Sequence, residues 1–241
     1  MVNDRLVWVI ESRSRLSKYQ TGFRRFHSTT DNLVYLENNI QNTFLHRQHM
    51  IAVSFDLEKA YDMTWRYNVM SKLHNWGLRG NLPAFIKNFL SHRTFRTRIG
   101  DTLSQIHTME NGIPQGSVMS CTLFLIAVDD LVSSIQKPLN ACLYVDDLII
   151  CTSSENLEDI QTEMQDGINK VVEVAENIGF RFSSEKTVTI HFCRLRHEHA
   201  DPVLNIRDST VRYLPSIKIL GVIFDSKLYF REHIEALENK C

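Results

Sequence analysis

Apolar residues recur along this chain with two periods, one typical of helices and one of strands. Residues 29–44 place apolar side chains every three or four positions after a Thr-Thr-Asp start, which predicts a capped amphipathic helix. The largely apolar run at 51–55 (Ile-Ala-Val-Ser-Phe) predicts a buried strand. Residues 65–76, which stop at Gly77, and residues 82–90 predict two shorter helices.

The second half of the chain continues this alternation. Residues 117–135 are apolar nearly all round and predict a buried helix, and 139–152 predict a tight hairpin of two strands interrupted by Asp146-Asp147. Further elements are expected at 157–178 (an acid-rich surface helix), 187–192 and 217–224 (strands) and 230–237 (a helix). Strands alternating with helices, plus a hairpin, predict an α/β or α+β sheet with helices on one face.

Composition restricts the class of protein. The 241 residues, 43% of them hydrophobic, suffice for a core in one large domain or two packed subdomains. No run approaches the roughly 20 apolar residues of a membrane helix, and the first residues lack a secretory signal pattern. The five cysteines contain no C-x-x-C pair, which indicates an intracellular chain with reduced thiols.

Charge is distributed unevenly although the net charge is only −1. Residues 12–30 carry five basic side chains and no acid, and residues 87–98 carry four and no acid. Such stretches can bind phosphate backbones. Incidental charge on solvated loops explains them equally well.

Acidic residues interrupt two apolar segments. Asp56 directly follows the run at 51–55, and Asp146-Asp147 divides the expected hairpin. Taken alone, each of these two acidic sites can be explained as an ordinary turn, because aspartate favours turns. If the strand and the hairpin are neighbours, however, Asp56 and Asp146 come within a few ångströms. Three carboxylates at one strand edge would suit a pair of Mg²⁺ ions that activate a 3′-hydroxyl and stabilise a pyrophosphate leaving group.

Ordered sequence blocks resemble a known family. Residues 55–62 (Phe-Asp-Leu-Glu-Lys-Ala-Tyr-Asp), 112–117 (Gly-Ile-Pro-Gln-Gly-Ser) and 144–147 (Tyr-Val-Asp-Asp) resemble successive polymerase motifs of reverse transcriptases. Residues 19–29 and 218–222 resemble the versions in jockey-like non-LTR retrotransposons. The resemblance implies an α+β palm-and-fingers fold, an antiparallel sheet packed on helices.

The same resemblance implies a domain plan and partners. Residues 1–50 would be partial fingers, and residues 51–193 the palm, with a fingers segment interleaved at about 63–110. Residues 194–241 would be the primer-grip-like end of the palm and the start of a truncated thumb or connection. The partners would be an RNA template, a DNA primer and dNTPs, with no membrane. An endonuclease and most of the thumb would lie outside this chain, which would work in the nucleus or cytoplasm.

The implied activity is RNA-directed DNA polymerisation with two Mg²⁺ or Mn²⁺ ions. By resemblance, Asp56 and Asp146 would be metal ligands, with Asp147 in a supporting role. The Leu57 carbonyl would also face a metal. Lys186 would protonate the leaving pyrophosphate.

The resemblance also assigns nucleotide contacts. Tyr61 falls at the steric-gate position, where an aromatic ring excludes a ribose 2′-hydroxyl, although a core aromatic is the alternative. Gln115 and Gly116 lie in a turn that enters a helix and would contact the incoming nucleotide or template. Arg24 and Arg25 would contact the triphosphate or template, and which of them does so is open.

Leu220-Gly221 resembles the primer-grip hairpin, where a glycine permits close backbone approach; a structural bulge would explain that glycine as well. Two residues depart from the family pattern: Cys121 stands where many relatives have proline, and Val145 where alanine is commoner. We expect both to tune the site.

Two other functions remain open: a degenerate domain that binds nucleic acid without catalysis, and an RNA-directed RNA polymerase, which Tyr61 disfavours. Four side chains near the end of the chain are of types that can bind zinc: His191, Cys193, His197 and His199. A strand would place His191 and Cys193 on one face, but the spacing matches no C-x₂₋₄-C…H pattern and predicts no structural zinc site.

Overall fold

The computed structural model describes residues 1–196 and 199–240. Its helices are α1 (Val2–Ser12), α2 (Thr29–Leu45), α3 (Ala60–Met63), α4 (Arg66–Asn75), α5 (Asn81–Leu90), α6 (Val118–Val128), α7 (Asp130–Ser133), α8 (Leu157–Asn177) and α9 (Arg231–Glu238). Its strands are β1 (His49–Phe55), β2 (Thr94–Phe95), β3 (Arg98–Ile99), β4 (Thr102–Leu103), β5 (His107–Thr108), β6 (Asn140–Tyr144), β7 (Asp147–Ser154), β8 (Val188–Phe192), β9 (Asn205–Ile206), β10 (Ser209–Thr210), β11 (Arg212–Tyr213), β12 (Ser216–Ile219) and β13 (Val222–Asp225).

The centre of the molecule is a sheet with the strand order β11-β8-β1-β7-β6. β1 is antiparallel to both of its neighbours, with Phe55 opposite Leu148 on β7 and Met50 opposite Phe192 on β8. β6 and β7 form the predicted hairpin, and the short β11 pairs with β8 in parallel. The α+β class with a mainly antiparallel sheet is therefore confirmed.

Both faces of the sheet are covered, whereas the sequence predicted helices on one face. Alternate β1 residues such as Ile51 and Val53 join a core that includes α6 and α8. The intervening Met50 and Ala52 join a second core under α2 and the β12–β13 hairpin. This arrangement explains why residues 50–53 of β1 are apolar without a break, because a strand between two cores has no solvent face.

Several boundaries differ from the expectation by a residue or more. Helix α2 begins at Thr29 as predicted, where the Ser28 N–H donates to Asp31 Oδ2 at 2.7 Å in a capping box, and it ends one residue later than expected, at Leu45. The single helix expected at 117–135 is divided into α6 and α7 at Asp129. Asp129 is buried there, and its carboxylate accepts the Ser17 N–H at 2.8 Å.

Some elements were not predicted. Helix α1 buries Leu6 and Ile10 completely and packs on α6, but this narrow apolar stripe gives a weak sequence signal. The strands β2–β5 and β9–β11 have two residues each, too short for a periodic pattern. None of the helices described here has the length and apolarity to cross a membrane.

Candidate active site

The β6–β7 turn carries the acidic pair. Tyr144 pairs with Asp147, so the turn residues are Val145 and Asp146, and Asp147 is already the first residue of β7. The prediction that Asp146-Asp147 forms the interruption is therefore wrong by one position. Val145 has a φ of +62°, a conformation that is strained for a β-branched residue.

The segment before α2 clamps this strained turn. Gln20 is 0% exposed. Its Oε1 accepts the N–H groups of Val145 at 3.2 Å and Gly22 at 2.9 Å, and its Nε2 donates to the Val145 carbonyl at 3.4 Å. A Cβ on Gly22 would lie 2.5 Å from the Val145 nitrogen. Sequence reasoning missed Gln20, because a lone glutamine beside a basic stretch gives no signal of burial.

The three aspartates lie at adjacent strand ends. The β1–β7 register ends at Phe55 opposite Leu148, so Asp56 follows beside Asp147, and Asp146 is in the adjoining turn. Partial burial raises the pKa of the Asp146 carboxyl, and the charge of Asp56 raises it further. The site thus concentrates negative charge.

Asp147 shows the same electrostatic effect. Although the residue is exposed as a whole, desolvation raises the pKa of its carboxyl, and the charges of Asp146 and Asp56 add to the rise. Lys186 Nζ lies 3.6 Å from Asp56 Oδ2. The lysine is 71% exposed, so the structure brings it to the rim of the site and not into the core.

The backbone at Leu57 is positioned by hydrogen bonds on either side of it. The Glu58 N–H donates to the Arg181 carbonyl at 2.9 Å, and the Ser183 N–H donates to the Asp56 carbonyl at 2.8 Å. Leu57 is therefore the non-hydrogen-bonded partner of Phe182. In such a pair the backbone groups point away from the partner, so the Leu57 carbonyl points away from Phe182.

Tyr61 stands next to the acidic site on α3. Its ring stacks on Phe124 with centroids 4.8 Å apart and an interplanar angle of 6°, and its hydroxyl lies 3.9 Å from Cys121 Sγ. Burial raises the pKa of the Tyr61 hydroxyl, with contributions from Cys121 and from the Asp146 charge. Both residues that depart from the family pattern, Cys121 and Val145, therefore touch the site.

The loop at 112–117 packs on α3. The N–H groups of Gly112 and Ile113 donate to the carbonyls of Thr64 and Tyr61 at 2.9 and 3.0 Å. Gly112 has a φ of +83°, and a Cβ there would lie 2.9 Å from the Asp62 carbonyl oxygen. The loop thus holds the entry to α6 beside Tyr61.

The exposed end of this loop carries the predicted nucleotide contacts. Gln115 and Gly116 are exposed, and Gln115 Nε2 lies 3.5 Å from Asp62 Oδ1. Helix α6 follows at Val118, and Ser117 provides no side-chain cap. The first turn of α6 therefore receives no side-chain acceptor from Ser117.

The two candidate arginines differ. The Arg24 guanidinium binds both carboxylate oxygens of Glu11 at 2.8 Å and also donates to the carbonyls of Ser17 and Gln20. Its side chain is only 12% exposed, so it braces the clamp segment. Arg25 is exposed.

The primer-grip-like residues form the turn between β12 and β13. Leu220 and Gly221 have φ values of +46° and +94°, which is the geometry of a two-residue hairpin. The turn conformation itself therefore requires the glycine, and a Cβ there would meet no atom of the described residues within 4 Å.

Comparisons with known proteins agree with this geometry. Residues 1–224 match the family described as reverse transcriptase (RNA-dependent DNA polymerase). The chain is 24% identical, over 99% of its length, to the RNA-directed DNA polymerase from mobile element jockey of Drosophila melanogaster. It is 25% identical, over 98% of its length, to the probable RNA-directed DNA polymerase from transposon X-element of the same species. It spans 26% of each relative.

Solved structures show the same fold. Telomerase from Candida albicans, in complex with a fragment of telomeric RNA, superposes with a TM-score of 0.65 at 12% identity. The match covers 93% of this chain and 37% of that protein. Apo telomerase from Candida tropicalis, truncated from its C-terminal domain, gives a TM-score of 0.64 at 14% identity, and the match covers 93% of this chain and 43% of that one.

Proposed function

This chain belongs to the reverse transcriptase family, and we propose that it extends a DNA primer on an RNA template by adding dNTPs to the 3′-hydroxyl. The observation that carries the proposal is the juxtaposition of Asp56, Asp146 and Asp147 at one sheet edge beside Tyr61. The domain plan belongs to the same proposal, with residues 1–50 and about 63–110 as fingers, 51–193 as palm and 194–241 as the palm end leading into a thumb.

Asp56 and Asp146 would hold two divalent ions, Mg²⁺ or Mn²⁺, with Asp147 in support. The donor set fits, because hard oxygen ligands suit these ions, and because burial and mutual repulsion raise the pKa values of Asp146 and Asp147. The Leu57 carbonyl would add a neutral oxygen. When bound, such ions activate the attacking hydroxyl and stabilise the leaving pyrophosphate.

Lys186 would act at the pyrophosphate side of the site. Its Nζ lies 3.6 Å from Asp56 Oδ2 on an exposed side chain, so it can move toward a bound triphosphate without breaking a buried contact. A protonated amine there can donate its proton to the leaving oxygen.

Tyr61 would select the sugar of the nucleotide. Stacking on Phe124 fixes the ring plane, and a rigid ring leaves no room for an additional 2′-oxygen. The exposed Gln115 and Gly116 would contact the nucleotide or template, and the uncapped start of α6 offers N–H donors for phosphate.

Arg25 is the better candidate for contact with phosphate. Its neighbour Arg24 already satisfies its guanidinium with Glu11 and two carbonyls. An exposed guanidinium can pair with phosphate oxygens bidentately. Leu220 and Gly221 would approach the primer backbone at the outer turn of their hairpin.

Primer extension by this chain tests the proposal. A labelled DNA primer annealed to RNA is incubated with dNTPs and Mg²⁺ or, separately, Mn²⁺. We expect extension by the wild type and by the control Asp208→Asn, whose side chain is exposed on the β9–β10 turn. Asp146→Asn should reduce the rate by about three orders of magnitude, or ~4 kcal/mol of transition-state stabilisation. Equal extension by wild type and Asp146→Asn would refute catalysis at this site.

Two outcomes would favour the other candidate functions. Tight binding of the primer–template without extension in either metal would support a domain that only binds nucleic acid. Faster incorporation of NTPs than dNTPs would support an RNA-directed RNA polymerase and would contradict the role of Tyr61.

A further inference from the structure

A second cluster of ligand-type side chains lies at the opposite end of the central strand. It consists of His49, His191, Cys193 and His199, and one ligand atom of each lies within 4.8 Å of all the others. His49 begins β1, whereas Asp56 follows its end, so the cluster lies roughly 20 Å from the carboxylates. The polymerase site proposed above makes no use of it.

Strand pairing fixes three of the four residues. β1 and β8 pair with Ile51 opposite His191 and Met50 opposite Phe192. Continuing this register by one residue places His49 opposite Cys193. Directly opposed residues share a sheet face, and residues two apart on a strand share that face too. The three side chains therefore converge on one surface.

A second layer of contacts orients these side chains. The Asp201 carboxylate lies 2.6 Å from His191 Nδ1 and, as an acceptor, requires a proton on that nitrogen. His191 Nε2 then presents a lone pair, and it lies 2.9 Å from His49 Nδ1. The Leu195 N–H donates to Cys193 Sγ at 3.3 Å, which fixes the position of the sulfur. A carboxylate behind a histidine is the usual support of a metal ligand.

We propose that His49, His191, Cys193 and His199 bind one Zn²⁺ ion that ties the start of β1 to the end of β8 and to the segment containing His199. Three imidazoles and one thiolate supply four ligands of the types that bind Zn²⁺, enough to complete a tetrahedral site with no open position. Metal–ligand distances of about 2.0–2.3 Å separate such ligand atoms by roughly 3.3–3.7 Å. Shifts of roughly 1 Å would produce that geometry from the present one.

Another feature of the cluster agrees with metal binding. A cleft of about 930 Å³ lined by His191, Cys193 and Asp201 gives an ion access from solvent.

The sequence predicted no zinc site, because the candidate ligands between residues 191 and 199 do not have the spacing of a zinc motif. The missing ligand is His49, which lies far away in the chain and becomes visible only through the β1–β8 register. His197, which the sequence also suggested, lies outside the described residues. The alternative is a hydrogen-bonded histidine pair without metal, which the 2.9 Å contact would also satisfy.

Cobalt substitution distinguishes the metal site from the metal-free histidine pair. The purified, reduced and metal-free chain is titrated with Co²⁺ and then with Zn²⁺, and absorption spectra are recorded. We expect one equivalent of Co²⁺ to give intense tetrahedral d–d bands and a thiolate charge-transfer band, and one equivalent of Zn²⁺ to abolish both. Cys193→Ser should remove the charge-transfer band. Zn²⁺ affinity is then measured by competition with a chromophoric chelator.

The variants test each part of the assignment. His199→Ala changes an exposed side chain, so it should fold, and it should weaken Zn²⁺ binding by at least about 100-fold. Asp201→Asn should weaken it about 10- to 100-fold. The control His74→Ala, on an exposed face of α4, should leave it unchanged. Absence of the charge-transfer band in the wild type, or equal affinities of His199→Ala and His74→Ala, would overturn the proposal whatever the fate of the polymerase assay.

Discussion

Removing the Gln20 side chain is expected to disable the acidic turn while leaving the chain folded. Gln20→Ala deprives two buried N–H groups, those of Val145 and Gly22, of their acceptor. Each unsatisfied buried donor costs about 1–3 kcal/mol, so unfolding should become easier by about 2–5 kcal/mol. A domain of this size has about 5–15 kcal/mol available.

The effect on activity should exceed the effect on folding. The left-handed conformation of Val145 stores about 1–3 kcal/mol of strain, and the Gln20 contacts are what hold it. Without them the turn relaxes and carries Asp146 with it. A displacement of about 1 Å at a reacting centre can cost 10²-fold in rate. The Mg²⁺ concentration for half-maximal activity should also rise, because the ligand has moved.

Urea unfolding and primer extension across a Mg²⁺ titration measure the two effects separately. Gln105→Ala, which truncates an exposed glutamine, is the matched control and should resemble the wild type in both. If Gln20→Ala unfolds more easily but its folded molecules keep the wild-type rate and Mg²⁺ dependence, Gln20 only fills the core and the clamp is refuted.

Four further substitutions have distinct expected outcomes. Asp146→Asn should stabilise the metal-free chain at neutral pH, because burial and the charge of Asp56 raise the pKa of the Asp146 carboxyl on folding. Measured by urea unfolding, the gain in stability should vanish below the ordinary pKa of 3.8. No gain at pH 7 would contradict the repulsion between the two carboxylates. Tyr61→Ala should reduce dNTP-over-NTP discrimination by roughly 10- to 100-fold, whereas Tyr61→Phe, which keeps the ring, should not; unchanged discrimination in both removes the steric role. Lys186→Ala should lower kcat with little change in KM and remove the basic limb of the pH profile, and an unaltered profile would exclude proton donation. Arg25→Ala should weaken primer–template binding and reduce its salt dependence, while the free energy of unfolding stays within about 0.5 kcal/mol of the wild-type value. Equal binding by Arg25→Ala and the wild type would exclude the contact.

Local patterns predicted the central sheet well, for physical reasons. The 51–55 run is apolar at four of its five positions because β1 lies between two cores, and the 139–152 segment forms its hairpin because both strands are buried. The turn was misplaced by one residue, since Asp147 pairs with Tyr144 although an aspartate pair favours a turn. The preference of a residue for turn or strand does not include its pairing with a residue on the neighbouring strand.

Long-range contacts account for what the sequence did not predict. Gln20 contacts Val145 and His49 contacts His191, and the two residues of each pair lie far apart in the sequence. Only folding brings them together. The different roles of Arg24 and Arg25 depend on Glu11 in a helix that the pattern missed. Motif order identified the acidic residues, but their supports became visible only with the strand register.

Convergence of the carboxylates is tested most directly by affinity cleavage. Fe²⁺ substituted for Mg²⁺, with ascorbate and peroxide, cuts the backbone next to the ion. The account predicts cuts both near residue 56 and near residues 146–147, suppressed together by excess Mg²⁺ and lost together in Asp146→Asn, with Asp208→Asn unchanged. Cleavage near one segment alone, or paired cuts that survive Asp146→Asn, would show that these acids do not share a metal site.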